Sequence, residues 1–166
     1  MSAMPTRSLL CLLTALFIVG CGSVDENIGA YAFTMTGTET QTAPTNNTST
    51  STASGTISVN ATKIDKSYSI VVGQTSMPTA GCVLHGTRST TSMYEIDIAT
   101  GQTCSFQSTG ATTTATISSG KVTITPAQTS TDVANLKIEV SYSYAGNTLL
   151  GNFAGTGVRT YAGPRL

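Results

Sequence analysis

The sequence predicts an all-β fold, a single antiparallel domain built as an up-and-down barrel or as a sandwich. Ser, Thr and Gly dominate the 166 residues, Trp is absent, and charged residues make up only 10% of the chain. Short runs that alternate apolar and polar residues recur along it and are separated by turn residues. No segment after residue 28 has the period of a crossover helix, so we expect about 8–10 strands joined mostly by hairpins.

The strands are predicted from the side chains that share a face. In the first strand, residues 30–38, Tyr31, Phe33 and Met35 lie on one face. The same period of two predicts the later shared faces: Ile57, Val59 and Ala61; Tyr68, Ile70 and Val72; Cys82 and Leu84; Tyr94, Ile96 and Ile98; Cys104 and Phe106; Ala115 and Ile117; Val122 and Ile124; Leu136, Ile138, Val140, Tyr142 and Tyr144.

Residues 38–54 interrupt this pattern. They are nearly all Thr, Ser, Asn, Gln and Ala, with Pro44 in the middle and no apolar side chain larger than Ala. Such a segment buries too little apolar surface to offset its ordering entropy. We therefore predict a long mobile loop, or a frayed hairpin tip, at residues 38–54.

Turn residues predict where the later strands reverse. Gly101 suits the positive φ of a tight turn at residues 99–102, and Ser118–Gly120 and Ala145–Asn147 have the composition of hairpin turns. Pro126 is expected to end a strand because it lacks a backbone donor. The last strand, residues 149–161, is expected to pair with the first and so cover both edges of the sheet.

The N-terminus has the features of an export signal. Arg7 precedes an apolar run at residues 9–19, which is too short to span a membrane. The run ends in Ile18-Val19-Gly20-Cys21, which resembles the lipobox of bacterial lipoproteins. That resemblance implies cleavage between Gly20 and Cys21 and attachment of a diacylglycerol to the Cys21 thiol. The alternatives are an ordinary signal peptide and a buried helix of a cytosolic domain.

The same resemblance predicts the domain organisation and the location. Residues 1–20 are the signal peptide, residues 21–28 are a short tether of about 25 Å, and residues 29–166 are the β domain. Gly22 follows the Cys where Asp would indicate inner-membrane retention, so the outer membrane is favoured over the inner membrane. The protein is thus expected in the bacterial cell envelope, with the lipid on Cys21 as its only covalent group and no cofactor.

Cys82 and Cys104 form an even pair in an exported domain, which favours a disulfide between them. The alternatives are two free buried thiols and a metal pair. A zinc site normally needs four ligands, and the chain has one His, so no metal site is predicted. A formal net charge of zero excludes the basic surface of a nucleic-acid-binding protein.

No catalytic motif is found. His85 is predicted on the exposed face of its strand, and Glu95 and Asp97 share a face that is expected to be solvated. We therefore expect a non-enzymatic lipoprotein that plays a structural role or binds an envelope protein.

The alternative function is the binding of a small hydrophobic ligand inside a lipocalin-like barrel. Residues 29–33 resemble the entry of lipocalin-like (calycin) barrels, with Tyr31 where that family has Trp. Inward aromatic residues would line such a cavity: Tyr31, Phe33, Tyr68, Phe106 and Tyr142.

Overall fold

The computed structural model describes residues 23–62, 66–72, 82–108, 111–148 and 151–166. The predicted signal peptide, with Gly20 and Cys21, lies outside these residues. A short 3-10 helix, Val24–Asn27, precedes the strands. The nine strands are β1 (Gly29–Ala43), β2 (Asn47–Ala61), β3 (Ser67–Val72), β4 (Cys82–Arg88), β5 (Glu95–Ile98), β6 (Thr103–Ser108), β7 (Ala111–Thr125), β8 (Asn135–Thr148) and β9 (Gly151–Pro164).

The strands form one antiparallel sheet that closes on itself. Their order is β5-β4-β3-β2-β1-β9-β8-β7-β6, and β5 also pairs with β7, which completes the ring. β7 pairs with β5 at residues 121–123 and with β6 at residues 111–116, so β5 and β6 share one side of β7. The predicted all-β antiparallel class is confirmed, and the final strand pairs with the first, as expected.

The up-and-down order separates the two ends of the barrel. We call the base the end where β1, β3, β5 and β8 begin and where β2, β4, β7 and β9 end. The opposite end is the free end. β3 has 6 residues and β1 has 15, so at about 3.3 Å per residue the long strands extend far beyond the short ones toward the free end.

Inward side chains fill the barrel near its base. The alternation predicted from the sequence is observed, since Tyr31, Ile57, Tyr68, Ile70 and Ile138 are each fully buried. Aromatic packing adds to the aliphatic contacts, with the rings of Phe33 and Tyr161 meeting edge to face at 5.3 Å. This apolar layer is the main source of stability in a chain with so few charges.

The predicted loop at residues 38–54 is wrong, because β1 continues to Ala43 and β2 begins at Asn47. Of the two predictions for this segment, the hairpin is closer to the structure. Threonines face each other across the two strands, in pairs such as Thr36–Thr52 and Thr38–Thr50. β-branched residues suit a pleated surface, and cross-strand Thr pairs stabilise it without any large apolar residue.

Two predicted turns are also wrong. β7 runs through Ser118–Gly120 with an irregularity between Ile117 and Ser119, and β8 runs through Ala145–Asn147. Both glycines serve close packing. A Cβ at Gly120 would lie 2.8 Å from Val140 Cγ1, and one at Gly146 would lie 2.3 Å from the Phe153 ring. The turn at residues 99–102 is confirmed, with Gly101 at φ 77°.

Residues 23–28 of the predicted tether are docked on the base, and we call them the docked segment. Val24 is fully buried and its amide donates to the Met93 carbonyl at 2.8 Å. The Tyr68 hydroxyl donates to the Asp25 carboxylate, which also pairs with Arg88. These contacts begin at the first residues that the structure describes, close to Cys21 in the sequence.

The C-terminus closes the other side of the base. The Leu166 amide donates to the Ala30 carbonyl at 3.0 Å, and Arg165 Nη2 donates to the Ile28 carbonyl at 3.1 Å. The docked segment and the C-terminal residues are thus held against the same end of the barrel.

The predicted cysteine pair is brought together. Cys82 at the start of β4 and Cys104 in β6 lie at disulfide distance, with Cα atoms 5.6 Å apart and a separation of 22 residues. They connect two strands that the sheet itself does not pair directly.

Truncation of Val24 tests the docked segment. Val24→Ala removes two methyl groups from a fully buried site and is expected to lower the free energy of unfolding by about 2 kcal/mol. Val83→Ala is the matched control, because this Val is 44% exposed on β4. Urea unfolding measures both variants, and equal effects would mean that Val24 is not packed against the base.

Thiol labelling tests the cysteine pair. We expect the mature, unreduced protein to show no reactive thiol at Cys82 or Cys104 after unfolding, and both to react after reduction. Reduction should lower the free energy of unfolding by about 3 kcal/mol, from the loop closed by the bridge. Strong labelling of both residues before reduction would refute the bridge.

Candidate functional site

An ion pair lies inside the barrel toward its free end. The inward register of β1 that buries Tyr31 and Met35 continues to Glu39, and the inward register of β9 places Arg159 beside it. Arg159 Nη2 lies 2.5 Å from Glu39 Oε1, and the two side chains are only 18% and 28% exposed. A charge pair at an inward strand position is costly unless its groups are hydrogen-bonded.

Tyr142 on β8 contacts both members of this ion pair. Its hydroxyl donates to the same Glu39 oxygen, and its ring lies 5.3 Å from the Arg159 guanidinium carbon, which is a cation–π distance. Burial and the bond to Glu39 raise the pKa of Tyr142 above its ordinary value. Burial lowers the pKa of Arg159, but the nearby Tyr142, Tyr161 and Glu39 outweigh burial and raise it.

Aromatic rings cover glycines along the β8–β9 hairpin. Tyr142 is paired with Gly157, Tyr144 with Gly155 and Phe153 with Gly146. A Cβ at Gly157 would lie 2.4 Å from the Tyr142 ring, and one at Gly155 would lie 2.5 Å from the Tyr144 hydroxyl. Aromatic side chains laid across a facing glycine restore packing that the glycine alone cannot provide.

We call Glu39, Tyr142, Tyr144, Phe153 and Arg159 the free-end cluster. Its rings form a row, with centroids 6.3 Å apart from Tyr142 to Tyr144 and from Tyr144 to Phe153. Tyr144 and Phe153 are only half-buried. Arg159 Nε is buried and has no protein partner.

The cluster offers aromatic surface, hydrogen-bond donors and one balanced ion pair. These groups suit binding, because Tyr and Arg are enriched at the centres of protein interfaces. Among the described residues, no three His, Cys, Asp or Glu side chains are grouped in a way that could hold a metal ion.

The aromatic residues predicted from the sequence to line a cavity are divided between the two ends. Tyr31, Phe33 and Tyr68 lie in the apolar layer near the base and are at most 3% exposed. The Tyr31 hydroxyl donates to the Asn27 carbonyl, so this residue supports the docked segment. Tyr142 alone joins the free-end cluster, and the side chain of Phe106 lies outside the described part of the chain.

The candidate acid–base residues lie on the outer face. His85 is exposed, and its Nδ1 is 3.4 Å from the Ser69 hydroxyl. Glu95 pairs with Lys121 at 2.8 Å, and Asp97 is exposed two residues further along β5. The three positions follow the predicted alternation.

Sequence reasoning missed Glu39 and Arg159. Residue 39 falls in the predicted loop, and residue 159 falls in the predicted last strand without a role of its own. Tyr31, Phe33 and Met35 alternate along β1 and face inward, and the same alternation continued to residue 39 predicts that Glu39 also faces inward. Arg159 likewise shares the face of Tyr161.

The outer surface near the free end carries hydroxyl groups. A shallow depression of about 310 Å³ crosses β1, β9, β8 and β7. Its walls are formed by Thr38, Thr40, Ser118, Ser141, Tyr142, Ser143, Thr156, Gly157 and Val158. It lies on the other side of the sheet from the free-end cluster.

A double-mutant cycle tests the aromatic–glycine packing. Gly157→Ala places a methyl group against the Tyr142 ring and is expected to lower the free energy of unfolding by about 1–3 kcal/mol. The same substitution in a Tyr142→Ala background should cost much less, because the ring is gone. Urea unfolding of the four proteins checks this, and equal losses in both backgrounds would contradict the packing.

Alkaline unfolding tests the burial of the tyrosines. Burial raises the pKa of Tyr31, Tyr142 and Tyr161 above the ordinary 10.0. Above pH 10 the unfolded chain releases phenolic protons that the folded chain retains, so stability present below pH 10 falls as pH rises. The fall in the urea midpoint should be smaller in Tyr142→Phe. Ionisation of all six tyrosines near pH 10, seen as phenolate absorbance without unfolding, would contradict burial.

The chain matches no family model, no curated protein and no solved structure. In the described part of the chain, no helix has both the length and the apolar character needed to cross a membrane. Its function is therefore argued from its own geometry.

Proposed function

We propose that this chain is a lipid-anchored protein of the bacterial cell envelope, favoured at the outer membrane, whose barrel binds an envelope protein at its free end. It carries no catalytic activity of its own. The position of Ser23 is the observation that carries the proposal. Because the docked segment ends at the base, a lipid on Cys21 would hold the base next to the bilayer and present the free end away from it.

The anchor is supported by the lipobox at residues 18–21 and by the short distance to the domain. Ser23 is the second residue after Cys21, and extended chain spans at most about 3.5 Å per residue. The docked segment supports the proposed direction as well as the short distance. Asp25 is held by Tyr68 and Arg88, and Glu26 and Ile28 by Arg165.

Binding at the free end is supported by the free-end cluster. Tyr144 and Phe153 present half-buried aromatic surface that loses little entropy on contact with a partner. The Glu39–Arg159 pair beside them is already hydrogen-bonded, so a partner would not have to desolvate an unpaired charge.

A small hydrophobic ligand is the second candidate. The base offers it little room, because Tyr31, Phe33, Met35 and Ile138 are buried there against one another. The observation that favours it is the row of rings at Tyr142, Tyr144 and Phe153, which a flat apolar molecule could cover.

Catalysis is not part of the proposal. His85 lies on the outer face against a Ser hydroxyl, and Glu95 is neutralised by Lys121. Neither faces the free-end cluster, which contains one carboxylate already shared by Arg159 and Tyr142.

Membrane fractionation and capture test the two parts of the proposal. Cys21→Ser is expected to move the protein from the membrane to the soluble fraction, because the acylated thiol is lost. For capture, the lipidated protein is cross-linked in its native membrane and purified. Tyr144→Ala with Phe153→Ala should lose the captured protein, whereas Tyr94→Ala at the base should retain it.

Each part fails on its own result. Membrane association of the Cys21→Ser protein would contradict the anchor. Equal capture by the Tyr144/Phe153 variant and the Tyr94 variant would contradict a binding site at the free end. A small apolar molecule that co-purifies with the wild type and is lost with the Tyr144/Phe153 variant would select the second candidate.

A further inference from the structure

Among the residues that the structure describes, three of the five exposed large apolar side chains lie at the base. Met93, Val133 and Leu166 are 51%, 52% and 74% exposed. Each comes from a different base element: the connection from β4 to β5, the connection from β7 to β8, and the C-terminus. Val83 and Val158 are also exposed, but they point outward singly, from the second residue of β4 and from the middle of β9.

Backbone hydrogen bonds place the three residues around the docked segment. The Met93 carbonyl accepts the Val24 amide at 2.8 Å. The Arg165 amide donates to the Ala134 carbonyl at 2.8 Å, which sets Leu166 near Val133. The Leu166 amide in turn donates to the Ala30 carbonyl at 3.0 Å, just beyond the docked segment.

The exposed charged side chains that the structure describes at the base balance. Lys66 and Arg165 are exposed there, and so are Glu26 and Asp132, while Asp25 is paired with Arg88. A surface with this balance has no strong preference for an anionic partner. Its apolar side chains would gain by leaving water, since burial of a Val, Leu or Met side chain contributes about 1.5–3 kcal/mol.

We propose that Met93, Val133 and Leu166 form a lipid-contact surface that enters the interfacial region of the bilayer anchoring Cys21. The inference rests on the proposed lipid anchor. The occupant is the bilayer because the described chain begins at Ser23, two residues from the acylated Cys, on this same end of the barrel. Apolar side chains that enter the interface would add to the attachment that the two acyl chains of the diacylglycerol provide.

Site-directed labelling tests this surface directly. Once Cys21 is acylated and Cys82 is bridged to Cys104, a Cys introduced at position 93, 133 or 166 is the free thiol of the mature protein. It is labelled with an environment-sensitive fluorophore, and Thr42→Cys at the exposed free end is the control. The lipidated proteins are placed in phosphatidylcholine vesicles, with and without phosphatidylglycerol.

The three base labels should shift to shorter emission wavelengths and be quenched by lipid-borne quenchers, while the label at position 42 should remain aqueous. The shift should be similar in both vesicle compositions, because the surface is apolar and its charges balance. Base labels that behave like the control would overturn the proposal. So would shielding that occurs only in native membranes, because that would indicate a protein partner.

Transfer between vesicles provides a second measurement. The Met93→Ser, Val133→Ser and Leu166→Ser triple variant of the lipidated protein should move between vesicles at least about tenfold faster than the wild type. A Val83→Ser and Val158→Ser control should not. Equal transfer rates for the triple variant and the wild type would overturn the surface.

Flotation and the mass of the mature N-terminus separate this inference from the proposed function. A protein that is neither acylated nor carried up with vesicles would refute the anchor itself. An acylated, floating protein whose base labels remain aqueous would leave the anchor intact and refute only the lipid-contact surface.

Discussion

The docking of Val24 and its neighbours at the base is the interaction on which the rest of the molecule depends. A fully buried Val, its amide bonded to Met93, and an Asp held by both Tyr68 and Arg88 convert a short linker into part of the fold. In the proposed lipid-anchored protein, this packing would set the direction in which the barrel leaves the membrane and the end that is free to meet a partner.

The inward side chains change from apolar to charged along the length of the barrel, while the inward–outward alternation of each strand continues. Near the base, inward positions carry aliphatic and aromatic side chains that are closely packed. Toward the free end, the inward positions of β1 and β9 carry Glu39 and Arg159, and β9 places glycines opposite the rings of β8. Where the sheet extends beyond its apolar core, an aromatic ring packed over a facing glycine supplies contacts that the core no longer provides.

Much of the fold could be predicted from period-two alternation. The faces at Tyr68–Val72 and Leu136–Tyr142, the turn at Gly101 and the approach of Cys82 to Cys104 all follow from local pattern and composition. The two wrongly predicted turns have one cause. Gly120 and Gly146 have the composition of turns, but each is Gly because a neighbouring side chain occupies the space of its Cβ. Tertiary packing of this kind is not visible in local sequence.

The candidate site was harder to predict for a related reason. The composition of residues 38–54 is typical of a loop. A first strand that ends at residue 38 does not include Glu39, so Glu39 is not predicted to face inward. Thr is a strand former when a neighbouring strand offers another β-branched surface, and that neighbour is defined only by the hairpin. The docked segment was equally hidden, because Val24 and Asp25 gain their partners from Met93, Tyr68 and Arg88, far away in the chain.

Hydrogen exchange at the Val24 amide, measured in the lipidated protein on vesicles, tests the central claim most directly. A segment docked on the base predicts exchange slowed by orders of magnitude relative to an unstructured peptide, because the amide is buried and bonded to Met93. Exchange at the rate of an unstructured peptide, with the strands still protected, would show that residues 23–27 are a free tether. The orientation of the barrel would then have no structural basis.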